Sequence, residues 1–319
     1  MRKITLKGSG VETSALGFGC ASLGTRVSAN EALNCLARAW DQGVTYFDVA
    51  PSYGRGEAEA ILGRFLADRK DKAQVCTKAG LAPPGTSPLM RLALPIIRPI
   101  AAAAAPVRRM LRRSKMTRSA ALPLTPPLLT GSLDRSLSRL GVEQVAVYAL
   151  HMAAIEDLGR DDILRCLDDM VKSGKTRSIS VASTHDAAAA AIGIGAPYGV
   201  VQFALNLDES VEALIQRAHK ADMGCVTHSV LGLDGPADIL AAAAQKTPNA
   251  ACLRSAGYDG ATTEAVSDLL LDRALALNAQ GVVLMSMLSD RHIDRNVARA
   301  AAPVRPEAPA LVRTLLDAA

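Results

Sequence analysis

Short apolar runs alternate along the chain with longer segments in which apolar residues recur every three or four positions. The runs, such as VAVYALH and SISVAS, show little apolar–polar alternation, which is typical of parallel strands buried on both faces. The longer segments, such as ANEALNCLARAWDQG and DDILRCLDDMVKSG, have the period of an amphipathic helix. The pattern therefore predicts parallel strands that are joined by helices.

Eight strand–helix pairs can be placed along the sequence, from SALGFGC near the N-terminus to VVLMSM followed by DRHIDRNVARAA. Eight consecutive pairs favour a closed barrel over an open, doubly wound sheet. A dinucleotide-binding open sheet would also need a GxGxxG motif after its first strand, and SALGFGCASLG does not contain one. We predict an α/β fold in which residues 1–319 form one (β/α)₈ TIM barrel with an N-terminal β-hairpin in ITLKGSGVETS.

One stretch, residues 81–127, interrupts this alternation. It follows the third predicted strand, AQVCTKA, and is rich in Pro, Ala and Arg. Loops of this length are usually functional or disordered, and a loop that follows a barrel strand lies at the face where barrel active sites are built. We predict a long basic insertion here, which acts as a lid, as a docking arm or as a passive loop. A second irregular stretch is predicted over residues 232–262.

The positive charge of the protein is concentrated in this insertion. The formal net charge is +5, and there is no acidic residue between Ala79 and Ser132. Eight basic residues lie in that range, namely Arg91, Arg98, Arg108, Arg109, Arg112, Arg113, Lys115 and Arg118. These eight positive charges exceed the net charge of +5, so the rest of the chain is net negative. This argues against a nucleic-acid-binding surface. The insertion itself is suited to an anionic partner or surface, or to an acidic substrate.

The remaining composition is that of an ordinary globular protein, with 49% hydrophobic and 21% charged residues. The start, MRKITLKGSG, has no apolar segment of the kind that a secretory signal needs, and no stretch has the length and apolarity of a membrane span. The six cysteines are scattered and show no metal-ligand spacing. We therefore expect a cytoplasmic protein with reduced thiols, with no integral membrane segment and with no bound metal.

Four polar residues fall at the ends of three consecutive predicted strands: Asp48, Tyr53, Lys78 and His151. In a barrel these ends converge on one pocket. Each residue taken alone has a plain structural explanation, such as a helix cap or a solvated rim charge, but the combination suits carbonyl reduction. Tyr53 would give a proton to the developing oxyanion, Lys78 would lower its pKa, and Asp48 would hold Lys78. His151 would donate a hydrogen bond that orients the carbonyl group.

The segments around these residues resemble the aldo-keto reductase family. GVTYFDVAPSYGRGEAEAILG resembles the family segment with the catalytic Asp and Tyr, CTKAG resembles its lysine strand, and VYALH its histidine strand. The resemblance covers nearly the whole chain except the basic insertion. It implies a catalytic tetrad of Asp48, Tyr53, Lys78 and His151, and a cofactor, NADP or NAD, bound without a Rossmann domain. The substrate would be a small carbonyl compound or alcohol.

The same resemblance implies the cofactor contacts, with several departures from the family pattern. Its nicotinamide end would contact Ser183, Gln202, His228, Ser229 and Leu231, and its adenosine end Ser286, Arg291, His292 and Asn296. Ala182 and Ser183 replace the family's Ser-Asn pair, and His228 replaces an aromatic ring. Ser286 and His292 replace a basic pair that binds the 2′-phosphate in many members. Arg291 is the candidate to serve instead, or the enzyme uses NAD.

Two other functions remain open at this stage. A lyase or aldolase barrel could form a Schiff base on Lys78, because a desolvated lysine can act as a nucleophile. A non-catalytic barrel could sense a cofactor and dock a partner through the basic insertion. The protonated state that Asp48 would impose on Lys78 argues against the first, and a complete tetrad argues against the second.

Overall fold

The computed structural model describes residues 1–82, 119–208, 210–232, 236–260 and 262–317. It begins with an antiparallel hairpin of β1 (Lys3–Leu6) and β2 (Val11–Ser14). Eight parallel strands then close into a barrel in chain order. They are β3 (Leu16–Gly19), β4 (Tyr46–Asp48), β5 (Gln74–Ala79), β6 (Val145–His151), β7 (Thr176–Ala182), β8 (Tyr198–Ala204), β9 (Gly224–His228) and β10 (Val282–Met285). The predicted (β/α)₈ barrel and its hairpin are confirmed.

The hairpin covers the end of the barrel at which the strands begin. Leu6 and Val11 are fully buried and belong to one apolar cluster with Tyr46, Val200 and Val226 from the barrel interior. The opposite end, where the strands finish, carries the polar residues singled out from the sequence. This division is the usual one in such barrels, with packing at one face and chemistry at the other.

Helices surround the barrel, and five of those described begin at a side chain that caps them. They are α1 (Ala29–Asp41), α2 (Ala58–Leu66), α3 (Pro126–Leu140), α4 (Ile155–Leu158), α5 (Asp161–Lys172), α6 (His185–Ile194), α7 (Ser210–Lys220), α8 (Pro236–Ala244), α9 (Thr247–Ser255), α10 (Thr263–Leu277), α11 (Asp290–Ala301) and α12 (Ala308–Asp317). Ser28 and Glu31 form a capping box at α1, and Thr125, Thr184, Thr262 and Ser289 accept a backbone hydrogen bond at α3, α6, α10 and α11. Across the described ranges no helix has the length and apolarity needed to cross a membrane.

The two stretches predicted to be irregular differ in the structure. The prediction for 232–262 is wrong, since α8 and α9 lie there. Neither helix has a strong apolar stripe, and α8 is alanine-rich, which favours a helix without one. In the predicted insertion over 81–127, a β-bridge joins Leu81 to Ala121. The last two residues of this range already belong to α3. Residues 83–118, which include all eight basic residues, lie outside the described residues.

A buried amide adds side-chain hydrogen bonds to the backbone pairing of the last two strands of the barrel. The Asn278 side chain is fully buried, and its Nδ2 donates to the carbonyl oxygens of Cys225 and Val282 at 3.1 and 3.2 Å and to Thr227 Oγ1 at 3.3 Å. We expect Asn278→Ala to lower the free energy of unfolding by about 2–4 kcal/mol, because several buried polar groups lose their partner. Urea unfolding measures this. Asn278→Asp, which keeps the shape but not the donor, should be at least as harmful, and a loss below about 0.5 kcal/mol in both would contradict the assignment.

Candidate active site

The strand register brings the four candidate catalytic residues to one end of the barrel. Asp48 is the last residue of β4, and His151 is the last residue of β6. Lys78 lies between them on β5, where it is paired with Ala149 of β6. Tyr53 follows β4 in a single 3₁₀ turn, Tyr53–Gly56. Three adjacent strands and the turn after the first of them therefore supply the whole cluster.

Asp48 and Lys78 form a buried ion pair. Lys78 Nζ donates to Asp48 Oδ2 at 2.5 Å and to the carbonyl oxygen of Val49 at 3.2 Å, and the two side chains are 4% exposed or less. Burial alone would lower the pKa of Lys78, but the Asp48 carboxylate and its other neighbours raise it well above its ordinary value. Lys78 is therefore a cation at any physiological pH, as the sequence argument requires.

Tyr53 packs between the lysine and the histidine. Lys78 Nζ lies 5.1 Å from the centroid of the Tyr53 ring, and the His151 ring meets the same ring edge-on at 5.7 Å. Burial raises the pKa of Tyr53 to about 12, against the lowering effect of Lys78. The expectation that Lys78 brings this pKa below its ordinary value is therefore wrong. Lys78 does lower the pKa of Tyr53, as expected, but the burial of the phenol raises this pKa by more.

His151 of the cluster and His228 at the end of β9 are both neutral. Burial lowers the pKa of His151 to about 3, with a smaller contribution from the Lys78 charge. Burial also lowers the pKa of His228 to about 4. A neutral imidazole has one N–H donor and one acceptor nitrogen, so His151 can donate a hydrogen bond without carrying a charge. This suits a group that orients a carbonyl oxygen.

Two glycines of the motif segments are required by the backbone around this cluster. Gly54 has φ +59°, and a Cβ there would lie 2.4 Å from the carbonyl oxygen of Leu23. Gly80, at the end of CTKAG, has φ +121°, and a Cβ there would lie 2.6 Å from the carbonyl oxygen of His151. Any other residue would be strained and would push apart the segments that carry Tyr53, Lys78 and His151.

The residues assigned to the nicotinamide end lie on the following strands. Gln202 of β8 is paired with Ala182, the last residue of β7, and Ser183 comes next in the chain. Ser183 Oγ donates to the carbonyl oxygen of Ala153 at 3.2 Å. The His228 ring, at the end of β9, lies with Nδ1 2.9 Å from Ser229 Oγ, and Leu231 packs partly against the core. An amide, a hydroxyl group and a flat ring are the groups that a nicotinamide needs, so these residues fit one.

The residues assigned to the adenosine end lie at the start of α11. Ser286 follows β10 and is exposed. It lies next to Gly19 of β3, where an added Cβ would be 3.8 Å from Ser286 Oγ. Arg291 and His292 are exposed in the first turn of α11, and Asn296 is half-buried one turn further on. This donor set fits a ribose or a phosphate group. Nowhere in the described part of the chain do three or more His, Cys, Asp or Glu residues gather in a group that could hold a metal ion.

Comparison with known proteins decides the family. The model of the aldo/keto reductase family matches residues 15–307. This chain belongs to that family. The family resemblance inferred from the sequence motifs is thereby confirmed.

Individual aldo/keto reductase relatives and structures agree with this assignment. The chain is 41% identical over 81 residues to a pyridoxal 4-dehydrogenase of Microbacterium luteolum, and the match covers 24% of each protein. It is 43% identical over 76 residues to a D-threo-aldose 1-dehydrogenase of a Pseudomonas species, and this match covers 23% of each protein. The matched segments thus span about a quarter of these relatives. An aldo/keto reductase from Klebsiella pneumoniae, solved with NADP and acetate, shares the fold with a TM-score of 0.68 and 18% identity, covering 99% of this chain and 96% of that one.

Two contacts in this aldo/keto reductase were missed from the sequence. Gln202 Nε2 donates to Asp48 Oδ2 at 3.0 Å, so the glutamine assigned to the nicotinamide also holds the carboxylate of the ion pair. Arg291 Nη2 donates to Glu264, a residue for which the sequence suggested no role. No local motif signals the first contact, because 154 residues separate its partners. The second could have been suspected, since acidic residues recur along α10 at the same spacing as arginines along α11.

Proposed function

We propose that this aldo/keto reductase is an NAD(P)-dependent oxidoreductase that reduces an aldehyde or a ketone, or oxidises the corresponding alcohol, with Tyr53 as the general acid and base. The observation that carries the proposal is the cluster of a half-buried phenol, a buried ion-paired lysine and a neutral histidine at the open end of the barrel. NADPH or NADH, when bound, supplies the hydride that the carbonyl carbon accepts. The protein groups supply the proton and the orientation.

In the reductive direction, Tyr53 donates its phenolic proton to the carbonyl oxygen while His151 donates a hydrogen bond to that oxygen. The raised pKa of Tyr53 keeps the proton on the phenol at neutral pH, so that the acid form is available. The Lys78 cation stabilises the phenolate that remains, and Asp48 holds Lys78 in place. A proton from solvent then restores the phenol. In the oxidative direction the phenolate removes the proton from the alcohol.

The Schiff-base alternative fares worse. Attack on a carbonyl carbon needs a neutral amine, and the Asp48 carboxylate keeps the buried Lys78 amine protonated. Treatment with borohydride in the presence of a carbonyl substrate should therefore leave Lys78 unmodified. The other alternative, a non-catalytic sensor that docks through the basic insertion, depends on residues 83–118 outside the described ranges, and it stays a prediction together with the anionic partner.

The experiment that tests the function is the consumption of NADPH and NADH against a panel of carbonyl compounds. The panel includes pyridoxal and aldoses, because the relatives are named for such substrates, together with small neutral aldehydes; the matching alcohols are run with NADP and NAD. We expect turnover with at least one pair. Binding of a cofactor without turnover on any member would favour the sensor alternative. The assignments of 1–319 to one domain and of the protein to the cytoplasm remain predictions.

A further inference from the structure

Helices α10 and α11 are joined by a ladder of ion pairs. Three acidic residues recur every four positions on α10 and three arginines recur every four positions on α11, namely Glu264, Asp268 and Asp272 and then Arg291, Arg295 and Arg299. Each of these acids accepts a contact from one or two of these arginines. The lower rungs are partly buried and hold the two helices together. The first rung, between Glu264 and Arg291, is the most exposed, with side-chain exposures of 50% and 72%.

This first rung lies at the open end of the barrel. Glu264 is in the first turn of α10, and Arg291 is in the first turn of α11. In a (β/α)₈ barrel the helices run back against the strands, so they start at the face where the strands finish. The rung therefore adjoins the segment from Ser286 to Asn296, which the proposed function assigns to the adenosine end of the cofactor.

Glu264 uses both of its carboxylate oxygens on arginines of this segment. Oε1 accepts from Arg291 Nη2, and Oε2 lies 2.7 Å from Arg295 Nη1. The hydrogen bond from Arg295, aided by the Arg291 charge, holds the pKa of Glu264 below its ordinary value, so the group is a carboxylate at neutral pH. The positive charge of Arg291 is thus offset before any ligand arrives.

The other acidic groups near this turn do not favour the binding of a phosphate. Asp290 is exposed beside Arg291, and Asp294 accepts two hydrogen bonds from Arg38. Arg38 also lies 3.6 Å from Asp290, so its charge is shared between two carboxylates. A 2′-phosphate carries about two negative charges near neutral pH and binds best to an arginine that is free to form two parallel hydrogen bonds. A ribose hydroxyl has no such requirement.

We propose that Glu264 is a specificity-determining residue, which holds and neutralises Arg291 and thereby selects against the 2′-phosphate of NADP(H) relative to NAD(H). This inference rests on the proposed function, because it takes the start of α11 as the adenosine site. Since the pair is exposed, solvent and salt screen it, and the effect on affinity is moderate.

The test compares two substitutions that remove the same charge from the same helix. Glu264→Gln frees Arg291, whereas Asp268→Asn, one turn further on, removes a carboxylate that contacts Arg295 at 2.7 Å and not Arg291. Dissociation constants for NADPH and NADH are measured by isothermal titration calorimetry at low and at high salt. We expect Glu264→Gln to bind NADPH roughly three- to tenfold more tightly than the wild type, with NADH within about twofold. Asp268→Asn should leave the ratio of the two constants unchanged.

A third variant identifies the route of the effect. In Glu264→Gln/Arg291→Ala the gain for NADPH should disappear, because the freed guanidinium is gone. An unchanged ratio in Glu264→Gln, an equal gain for both cofactors, or the same gain in Asp268→Asn would each overturn the assignment of Glu264 while leaving the oxidoreductase proposal intact. Failure of the wild type to bind either cofactor would instead overturn the proposed function, and this inference with it.

Discussion

Replacement of Tyr53 by Phe is expected to lower turnover by about 10²-fold or more, and to leave the dissociation constants of both cofactors nearly unchanged. The substitution removes the phenolic proton but keeps the ring that packs edge-on against His151 and lies 5.1 Å from Lys78 Nζ. Neither His151, whose pKa is lowered to about 3, nor the ion-paired Lys78 is placed to replace it as a proton donor. Steady-state kinetics with the best carbonyl compound of the panel, together with cofactor titrations, measure the two effects.

A control is available in Tyr198, a buried tyrosine with a hydrogen-bonded hydroxyl. Its Oη donates to the carbonyl oxygen of Leu158 at 2.8 Å. Tyr198 is the first residue of β8, whereas the catalytic cluster lies where the strands end. Tyr198→Phe should reduce the free energy of unfolding by about 1 kcal/mol and leave turnover within about twofold of the wild type. Wild-type turnover in Tyr53→Phe would show that another group supplies the proton, and the proposed general acid would then be wrong.

The sequence was sufficient for those parts of the protein in which neighbours along the chain decide the outcome. Buried runs such as VAVYALH became strands because apolar residues without alternation can be satisfied only between two layers. Local caps such as Ser28 at α1 and Thr184 at α6 depend only on residues within the first helical turn. Asp48, Lys78 and His151 could be brought together in advance because closure of a barrel places the ends of neighbouring strands side by side.

What the sequence could not supply depends on residues that meet across the fold. Gln202 donates a hydrogen bond to Asp48 across the barrel interior, and no sequence motif around either residue indicates this contact. The pKa of Tyr53 was misjudged for the same kind of reason: the nearby lysine was visible in the sequence, but the burial that outweighs it was not. Helices α8 and α9 were missed because neither segment shows a strong helical period of apolar residues, and α8 consists largely of alanine.

Replacement of Lys78 by Met is expected to lower the free energy of unfolding by about 3–5 kcal/mol, because it leaves the Asp48 carboxylate buried without its cation. Gln202 Nε2 still donates to that carboxylate, which places the expected loss toward the lower end. The raised pKa of Lys78 means that the pair contributes fully below the ordinary lysine pKa, so the loss is present at neutral pH. Urea unfolding at neutral pH measures it.

The same substitution should also lower turnover by about 10²-fold, and a second substitution separates the two effects. The Lys78 charge lowers the pKa of Tyr53, so its removal raises that pKa further and shifts the alkaline rise of alcohol oxidation to higher pH. In Asp48→Asn/Lys78→Met no charge is left buried, and much of the lost stability should return while turnover stays low. A double variant that regained turnover together with stability would show that Lys78 acts only by supporting the fold. A double variant that is stable, slow and shifted in its pH profile would show that the Lys78 cation acts on the Tyr53 phenol.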